Sequence, residues 1–340
     1  MPGRIETEDE LEAALSEPTP AVIDALRRLP GDIMLLGVAG KMGPSLAHMV
    51  RRASDAAGIP RRVIGVSRFS SGGQSQFAAQ GIETIACDLL DESAVAQLPD
   101  VANIVFMAGK KFGATGHEAT TWAINSYLPG VVCRKFRQSR IVAFSTGNVY
   151  GLTPIGGGSV EDDPPAPVGE YAMSALGRER VFEYFSRGLG IRMSIIRLNY
   201  ACDLRYGVLV DLAGQVLAEQ PIDLAMGHFN TIWQGDANAM ALCAFAHAAA
   251  PPLVVNVTGA EVLSVRTVCE RFGQIMNKKV SFTGAESETA LLSKPARAVR
   301  LMGLPRLSAD ELIDRVAWWT MAGGRNLGKP THFESRSGRF

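Results

Sequence analysis

Ile33-Met34-Leu35-Leu36-Gly37-Val38-Ala39-Gly40-Lys41-Met42-Gly43 is the stretch on which the fold turns. Four apolar residues in succession read as a strand, and three glycines spaced three apart follow directly. The helical pattern Ser45-Leu46-Ala47-His48-Met49-Val50 comes next. A strand, a glycine turn and a helix in that order form a grip for a pyrophosphate. The first glycine permits the tight turn, the second lets backbone approach the phosphates, and the third lets the helix pack closely. The helix N-terminus then faces the negative charge. Glycines also punctuate ordinary turns, so the triplet gains its weight from this context. It favours a nicotinamide dinucleotide over a purely structural turn.

Outward from the turn, apolar strand-like runs alternate with helical stretches. Strands are expected near 33–38, 62–67, 82–87, 103–107, 140–145, 191–197 and 253–257, and helices near 44–57, 91–97, 118–137, 171–188 and 236–248. Seven such strands make an α/β fold with a doubly wound parallel (Rossmann) sheet, whose ligands collect beyond the carboxyl ends of the strands. The loop from Thr153 to Pro167, with Gly156-Gly157-Gly158, is expected to lie over those ends. After Asn199 the pattern turns irregular. The expected organisation is a helical N-terminal extension over 1–30, an NAD(P)-binding domain over 31–200 plus 236–258, and a smaller C-terminal substrate lobe over 201–235 plus 259–322. The polar tail 323–340, rich in Arg, Lys and Gly, is expected to be disordered or to dock on a neighbouring subunit, with no strong reason to place it in the site.

Bulk properties narrow the partners. Lys+Arg and Asp+Glu both total 34, so there is no basic bias toward nucleic acid. No apolar run approaches the roughly 18 residues a spanning helix needs, so no membrane attachment is expected. The opening MPGRIETEDELEAALSEP is acidic and amphipathic, the wrong chemistry for a leader peptide, which points to the cytoplasm. Five scattered cysteines, at 87, 133, 202, 243 and 269, fit buried thiols better than disulfides or a zinc site, and no metal is expected.

The end of the second strand chooses the nucleotide. Ser67-Arg68 stands where an acid would bond a ribose 2′-hydroxyl, and an arginine there can clamp a 2′-phosphate. NADP is therefore favoured over NAD. Asp88, after the third strand, can bond the adenine amino group or cap the helix opening Leu89-Leu90-Asp91-Glu92.

The fifth strand, Arg140-Ile141-Val142-Ala143-Phe144, runs into Ser145-Thr146-Gly147-Asn148-Val149-Tyr150-Gly151, and Tyr171 follows 25 residues after Thr146. Here the chain resembles the extended short-chain dehydrogenase/reductase family, in its NAD-dependent epimerase/dehydratase branch. The resemblance covers roughly residues 31 to 320. It includes the glycine turn, Asp88-Leu89, Met107-Ala108-Gly109, Asn125, Val257-Thr258-Gly259 before Leu263-Ser264-Val265, and Val316-Ala317-Trp318.

That resemblance implies hydride transfer at the nicotinamide, with Tyr171 as the acid/base and Thr146 positioning the substrate oxygen beside Ser145. It also implies cofactor contacts from Gly37, Gly40, Lys41, Met42, Gly43, Ser67, Arg68, Asp88, Leu89, Ala108, Gly109, Asn125 and Asn199. A homodimer through the 118–137 and 171–187 helices is implied as well. The family's lysine, one helical turn after the tyrosine, is here Ala175. An unassisted tyrosine is only about 0.1% phenolate at pH 7, and tuning it by three units is worth roughly 4 kcal/mol. Lys110 or Lys111 from the opposite wall, with Lys111 foremost, or Arg178 on the same helix face, are the candidate substitutes. Otherwise Tyr171 stays neutral and acts as a proton donor, or the redox chemistry is lost and the chain is a dinucleotide-binding sensor.

On the substrate side, Arg197-Leu198-Asn199-Tyr200 and Gly227-His228-Phe229-Asn230-Thr231-Ile232-Trp233-Gln234 correspond to the segments that hold a nucleotide-sugar diphosphate in such enzymes. The second lacks the arginine a phosphate would want. A sugar, sugar acid or related polyhydroxy carbonyl compound is the expected small-molecule substrate. Lys110, Asn148, Tyr200, Arg205, His228, Asn230, Trp233 and Gln234 are its candidate contacts, with lobe packing or surface exposure the alternative for Arg205, His228, Asn230, Trp233 and Gln234, and core packing favoured for Trp233.

Overall fold

The computed structural model describes residues 4–111, 113 and 116–338. Seven strands form one parallel sheet: β1 (Ile33–Leu36), β2 (Val63–Ser67), β3 (Glu83–Ala86), β4 (Asn103–Phe106), β5 (Arg140–Thr146), β6 (Met193–Leu198) and β7 (Leu253–Val257). Their spatial order is β7-β6-β5-β4-β1-β2-β3, the expected doubly wound arrangement. Between β1 and β4 the order reverses. The cleft beyond their carboxyl ends is therefore where a ligand is received.

Alternate residues of each strand serve opposite faces, because strand side chains have a period of two. Ile33, Leu35, Val63, Val105, Val142 and Val255 pack on one side, beneath the helices Pro20–Arg28, Gly43–Ala56 and Gln234–Cys243. Met34, Leu36, Ile64, Ile104, Phe106 and Ile141 pack on the other, against Val132, Phe136 and Phe182. Covered on both faces, the strands read as continuous apolar runs rather than alternating ones.

A second core gathers the helices Val208–Leu217, Val265–Met276 and Ala309–Met321. The N-terminal segment is two helices, Glu8–Leu15 and Pro20–Arg28. Leu11 and Leu15 enter this second core, while Val22, Leu26 and Leu29 enter the sheet core. Arg61 ties the segment to the sheet by donating to the Leu26 and Leu29 carbonyls at 2.5 and 2.7 Å.

Two irregular segments complete the fold. The 153–167 loop packs beside β6 and β7: Arg197 Nη1 donates to the Glu161 carbonyl at 3.3 Å, and Glu161 accepts from the Asn256 amide at 2.9 Å. The tail is not a detached appendage. Phe333 is buried in the second core against Phe229, with ring centroids 6.0 Å apart. Arg336 donates to the Ala225 and Thr289 carbonyls at 3.2 and 2.8 Å, and a Cβ on Gly338 would collide with the Val168 carbonyl.

Candidate active site

The glycine turn is built as its sequence dictates. Gly37 has φ +93, a left-handed conformation that glycine adopts without steric cost, and a Cβ there would lie 2.7 Å from the Ala108 amide nitrogen. A Cβ on Gly43 would collide with the Val38 carbonyl. At Gly40 the nearest atom to such a Cβ, the Gly37 carbonyl oxygen, is 3.4 Å away. The Gly43–Ala56 helix starts here with no side-chain cap hydrogen bond; the Gly43 amide donates to the Gly40 carbonyl at 3.1 Å and Pro44 has no N–H, so it is the positive end of the helix dipole that the turn offers an anion. Backbone cradle and helix N-terminus together fit a dinucleotide pyrophosphate.

Opposite the turn stand the end of β5 and the helix Gly169–Leu189. Thr146 Oγ1 accepts from the Asn148 amide at 3.1 Å and from Asn148 Nδ2 at 3.0 Å, which leaves its proton for the Tyr171 phenol, with which it is hydrogen-bonded. Burial pushes the Tyr171 phenol above its ordinary pKa, while the charge of Arg178 and the Thr146 hydrogen bond pull it back down.

Arg178 sits two turns after Tyr171 and is itself buried. It donates to the Phe144 carbonyl at 2.8 Å and to Asn125 Oδ1 at 2.5 Å. Its guanidinium leaves no room at Gly109, where a Cβ would meet Nη2 at 2.7 Å. Asn125 lies on a π-helical turn, Ala123–Tyr127, inside the helix that follows β4. Such bulges recur at functional sites because they reorient side chains. The Asn125 amide clamps Lys110 through both its N–H and its carbonyl, each at 3.0 Å, and fixes the end of β4.

One cavity of about 420 Å³ joins these pieces. Gly40, Lys41, Met42, Gly109, Lys110, Lys111, Ser145, Thr146, Asn148, Tyr171, Tyr200 and Gln234 all line it. Sequence reasoning did not anticipate Met107, Phe144, Leu198, Tyr206, Lys329 or Thr331 on its walls. Gly37, Gly43 and Ala108 shape it from behind. Ser145 donates its hydroxyl to Glu179, which Arg197 holds at 2.7 Å, so that hydroxyl is engaged in a buried network.

Several expected contacts lie outside this lining. Arg205 turns away to ion pairs with Asp203 at 2.8 Å and Glu12 at 2.7 Å. Trp233 is packed in the second core, His228 pairs through its backbone with Ser264, and Asn230 accepts from the Ser293 amide at 2.9 Å. Asn199 is buried, donating to the Leu291 carbonyl at 3.3 Å. Ser67, Arg68, Asp88 and Leu89 stand farther along the sheet edge. Arg68 is exposed at the end of β2, and Asp88 accepts from the Leu90 amide at 3.1 Å in a local turn, while Asp91 rather than Asp88 caps the helix Glu92–Ala96.

The cavity is rich in cations. Lys41 is pushed down to about 7 by burial, then by the charges of Lys329 and Lys111. Burial lowers Lys111 to about 8, opposed by Glu334 and Asp211. Lys111 Nζ lies 5.9 Å from the centre of the Tyr171 ring and donates to the Thr331 carbonyl at 3.3 Å. Among the described residues no cluster of metal-ligating side chains occurs, all five cysteines are buried and free, and no helix is long and apolar enough to cross a membrane.

Comparison with solved structures finds the same architecture. dTDP-glucose 4,6-dehydratase from Bacillus anthracis, solved with NAD, superposes with a TM-score of 0.70 at 14% identity, over 85% of this chain and 96% of that one. UDP-glucuronic acid 4-epimerase from Bacillus cereus, solved with NAD and a fluorinated UDP-sugar, gives 0.70 at 17% identity over 85% and 98%. UDP-glucose 4-epimerase from Thermus thermophilus, solved with NAD, gives 0.69 at 18% over 86% and 99%. No curated protein matches the sequence. The model of the NAD dependent epimerase/dehydratase family matches residues 33–202, half of the chain. By that match, and with the glycine cradle and Tyr171 facing one cavity, the chain belongs to the NAD dependent epimerase/dehydratase family.

Proposed function

We propose that this family member transfers hydride between a pyridine nucleotide and a carbohydrate-like alcohol or carbonyl, with Tyr171 as the proton donor and acceptor. The observation that carries the reading is the Tyr171 phenol, hydrogen-bonded to Thr146 in the cavity that the glycine turn also lines. The dinucleotide supplies the hydride or accepts it. NADP is the preferred form on this reading, supported by Arg68 at the end of β2, whereas the solved relatives named above carry NAD.

Arg178 stands in for the family lysine. Its charge opposes the upward push of burial on the Tyr171 pKa, and Asn125 and the Phe144 carbonyl fix its position. Arginine stays protonated, so it stabilises a phenolate without relaying the proton. With burial holding the phenol protonated at neutral pH, reduction of a carbonyl is favoured over oxidation of an alcohol. Dehydration is disfavoured, because Gly147 and Asn148 offer no carboxylate next to Thr146.

A homodimer through the helices around Trp122, Tyr127, Met173 and Tyr184 is part of the same proposal, supported by the exposure of these large apolar side chains. The test of the mechanism is Tyr171→Phe, assayed with NADPH or NADH and a panel of sugar carbonyl compounds. Loss of a proton donor in the transition state is expected to lower turnover by roughly 10² to 10⁴, with dinucleotide affinity unchanged. Unchanged turnover sinks the mechanism, and saturable dinucleotide uptake without turnover in the parent protein favours a sensor.

A further inference from the structure

The chain after the last long helix runs as a strap along one wall of the cavity, and it is pinned at intervals rather than hinged. The Leu327 amide bonds to the Arg205 carbonyl at 3.0 Å. The amide and hydroxyl of Thr331 both donate to Asp211 Oδ2, at 2.8 and 2.6 Å. Phe333 is buried in the second core, and Arg336 donates to the Thr289 carbonyl at 2.8 Å and to the Thr289 hydroxyl at 2.6 Å. The strap then packs so closely on the head of the tyrosine helix that a Cβ on Gly169 would collide with the Gly338 carbonyl. Segments that open locally are held by few buried contacts. This one is held by many and forms a fixed wall.

Its position divides one cleft in two. The main cavity has Lys329 and Thr331 on its strap side, Gly40 and Met42 of the glycine turn at one end, and Thr146 and Tyr171 at the other. A second pocket lies on the far side of the strap, lined by Ser335, Arg336 and Gly338. Asn148 and Tyr200 face both.

Volumes decide what fits. The far pocket measures about 30 Å³, room for about two water molecules and not for a nucleoside. The main cavity, at about 420 Å³, is near the lower end of the roughly 300–1,000 Å³ usual for one small-molecule ligand. It has to take the reactive end of the dinucleotide and the substrate together. A substrate whose oxygen meets Tyr171 therefore reaches only a short way past Asn148 and Tyr200 before it meets the strap.

We propose that the strap is a specificity-determining wall. By filling the far end of the cleft it restricts the substrate to a compact sugar or sugar acid and excludes one that carries a nucleoside diphosphate. This inference rests on the hydride-transfer reading and adds to it the size of the substrate. The lack of an arginine in the Gly227–Gln234 segment points the same way.

The test reads binding of UDP-glucose, titrated calorimetrically into the NADPH-loaded full chain. An alcohol beside reduced cofactor has no route for hydride, so the result does not depend on turnover. The parent is expected to show no saturable uptake below about 1 mM. A chain ending at Phe333 keeps the Thr331 and Phe333 anchors and loses the segment that walls the far pocket. It is expected to bind UDP-glucose at least about tenfold more tightly than the parent, the relief of a steric exclusion, with NADPH affinity unchanged. Should the shortened chain lose its cooperative melting transition, Arg336→Ala, which loosens the same segment, is read in its place, and the same direction of change is expected. The proposal is overturned if the parent takes up UDP-glucose saturably below that concentration, or if the folded variant binds it no better than the parent. Failure of NADPH itself to bind overturns the hydride-transfer reading, and this inference with it, whereas UDP-glucose uptake beside bound NADPH in the parent overturns this inference alone.

Discussion

At the scale of single residues, the Tyr171 phenol lies between two opposing influences. Burial favours its neutral form, and the Arg178 guanidinium and Thr146 hydroxyl favour the phenolate. Removing the positive charge therefore raises the phenol pKa further. In Arg178→Gln, the alkaline rise of alcohol oxidation, which needs phenolate, is expected to shift to higher pH. Arg178→Lys is expected to keep it near its parent position. Matched pH–rate profiles measure this, and superimposable Gln and parent profiles would exclude Arg178 as the tuning cation. The sequence revealed the tyrosine and its hydroxyl partner because both stand at fixed places relative to β5. It did not rank the substitute cations. Lys111 has the more familiar chemistry, yet Arg178, three residues past Ala175, also brings its charge to bear on the phenol, an outcome of side-chain length and packing that spacing alone does not express.

Among the elements, the glycine turn joins sequence to function most directly. A methyl at position 43 would strike the Val38 carbonyl and push the helix away from β1. Gly43→Ala is expected to weaken dinucleotide binding at least tenfold in a fluorescence titration. Gly188→Ala, where a Cβ would meet nothing within 4 Å, is the control and is expected to leave binding intact. The strands were legible because each is a short apolar run bounded by turn residues. Their observed limits fall within a few residues of those expected. The helices of the second core were harder to read. Val208–Leu217 carries apolar residues nearly all round, so its 3.6-residue periodicity is faint. The Ala309–Met321 helix did announce its start, through the capping box from Ser308 to Glu311. The π turn at Ala123–Tyr127 left no compositional mark.

Over the whole molecule, the two cores are joined by the first thirty residues. Leu11, Leu15, Val22, Leu26 and Leu29 are fully or almost fully buried, and each such side chain is worth roughly 1.5–3 kcal/mol of burial. Against a total stability of about 5–15 kcal/mol, losing them is severe. Truncation before Gly31 is expected to give a chain that does not accumulate as a soluble, cooperatively melting protein. A sharp thermal transition close to the parent's would contradict this. The strap shows where reading by composition fails. Its polar residues suggest solvent, but Phe333 and the backbone bonds of Thr331 and Leu327 hold it down, and those partners are distant in sequence.

The small side chain at 175 has a consequence for anyone seeking to place a lysine there. Ala175 is fully buried beside Val149 and Tyr150, and one turn away the Arg178 head already fills the space over Gly109. Placing an ammonium group at 175 by itself would set another positive charge beside Arg178 in a cavity that several cations already line. A lysine at 175 is therefore expected to be tolerated better when the guanidinium is withdrawn at the same time, with Ala175→Lys alone melting below the Ala175→Lys/Arg178→Ala pair.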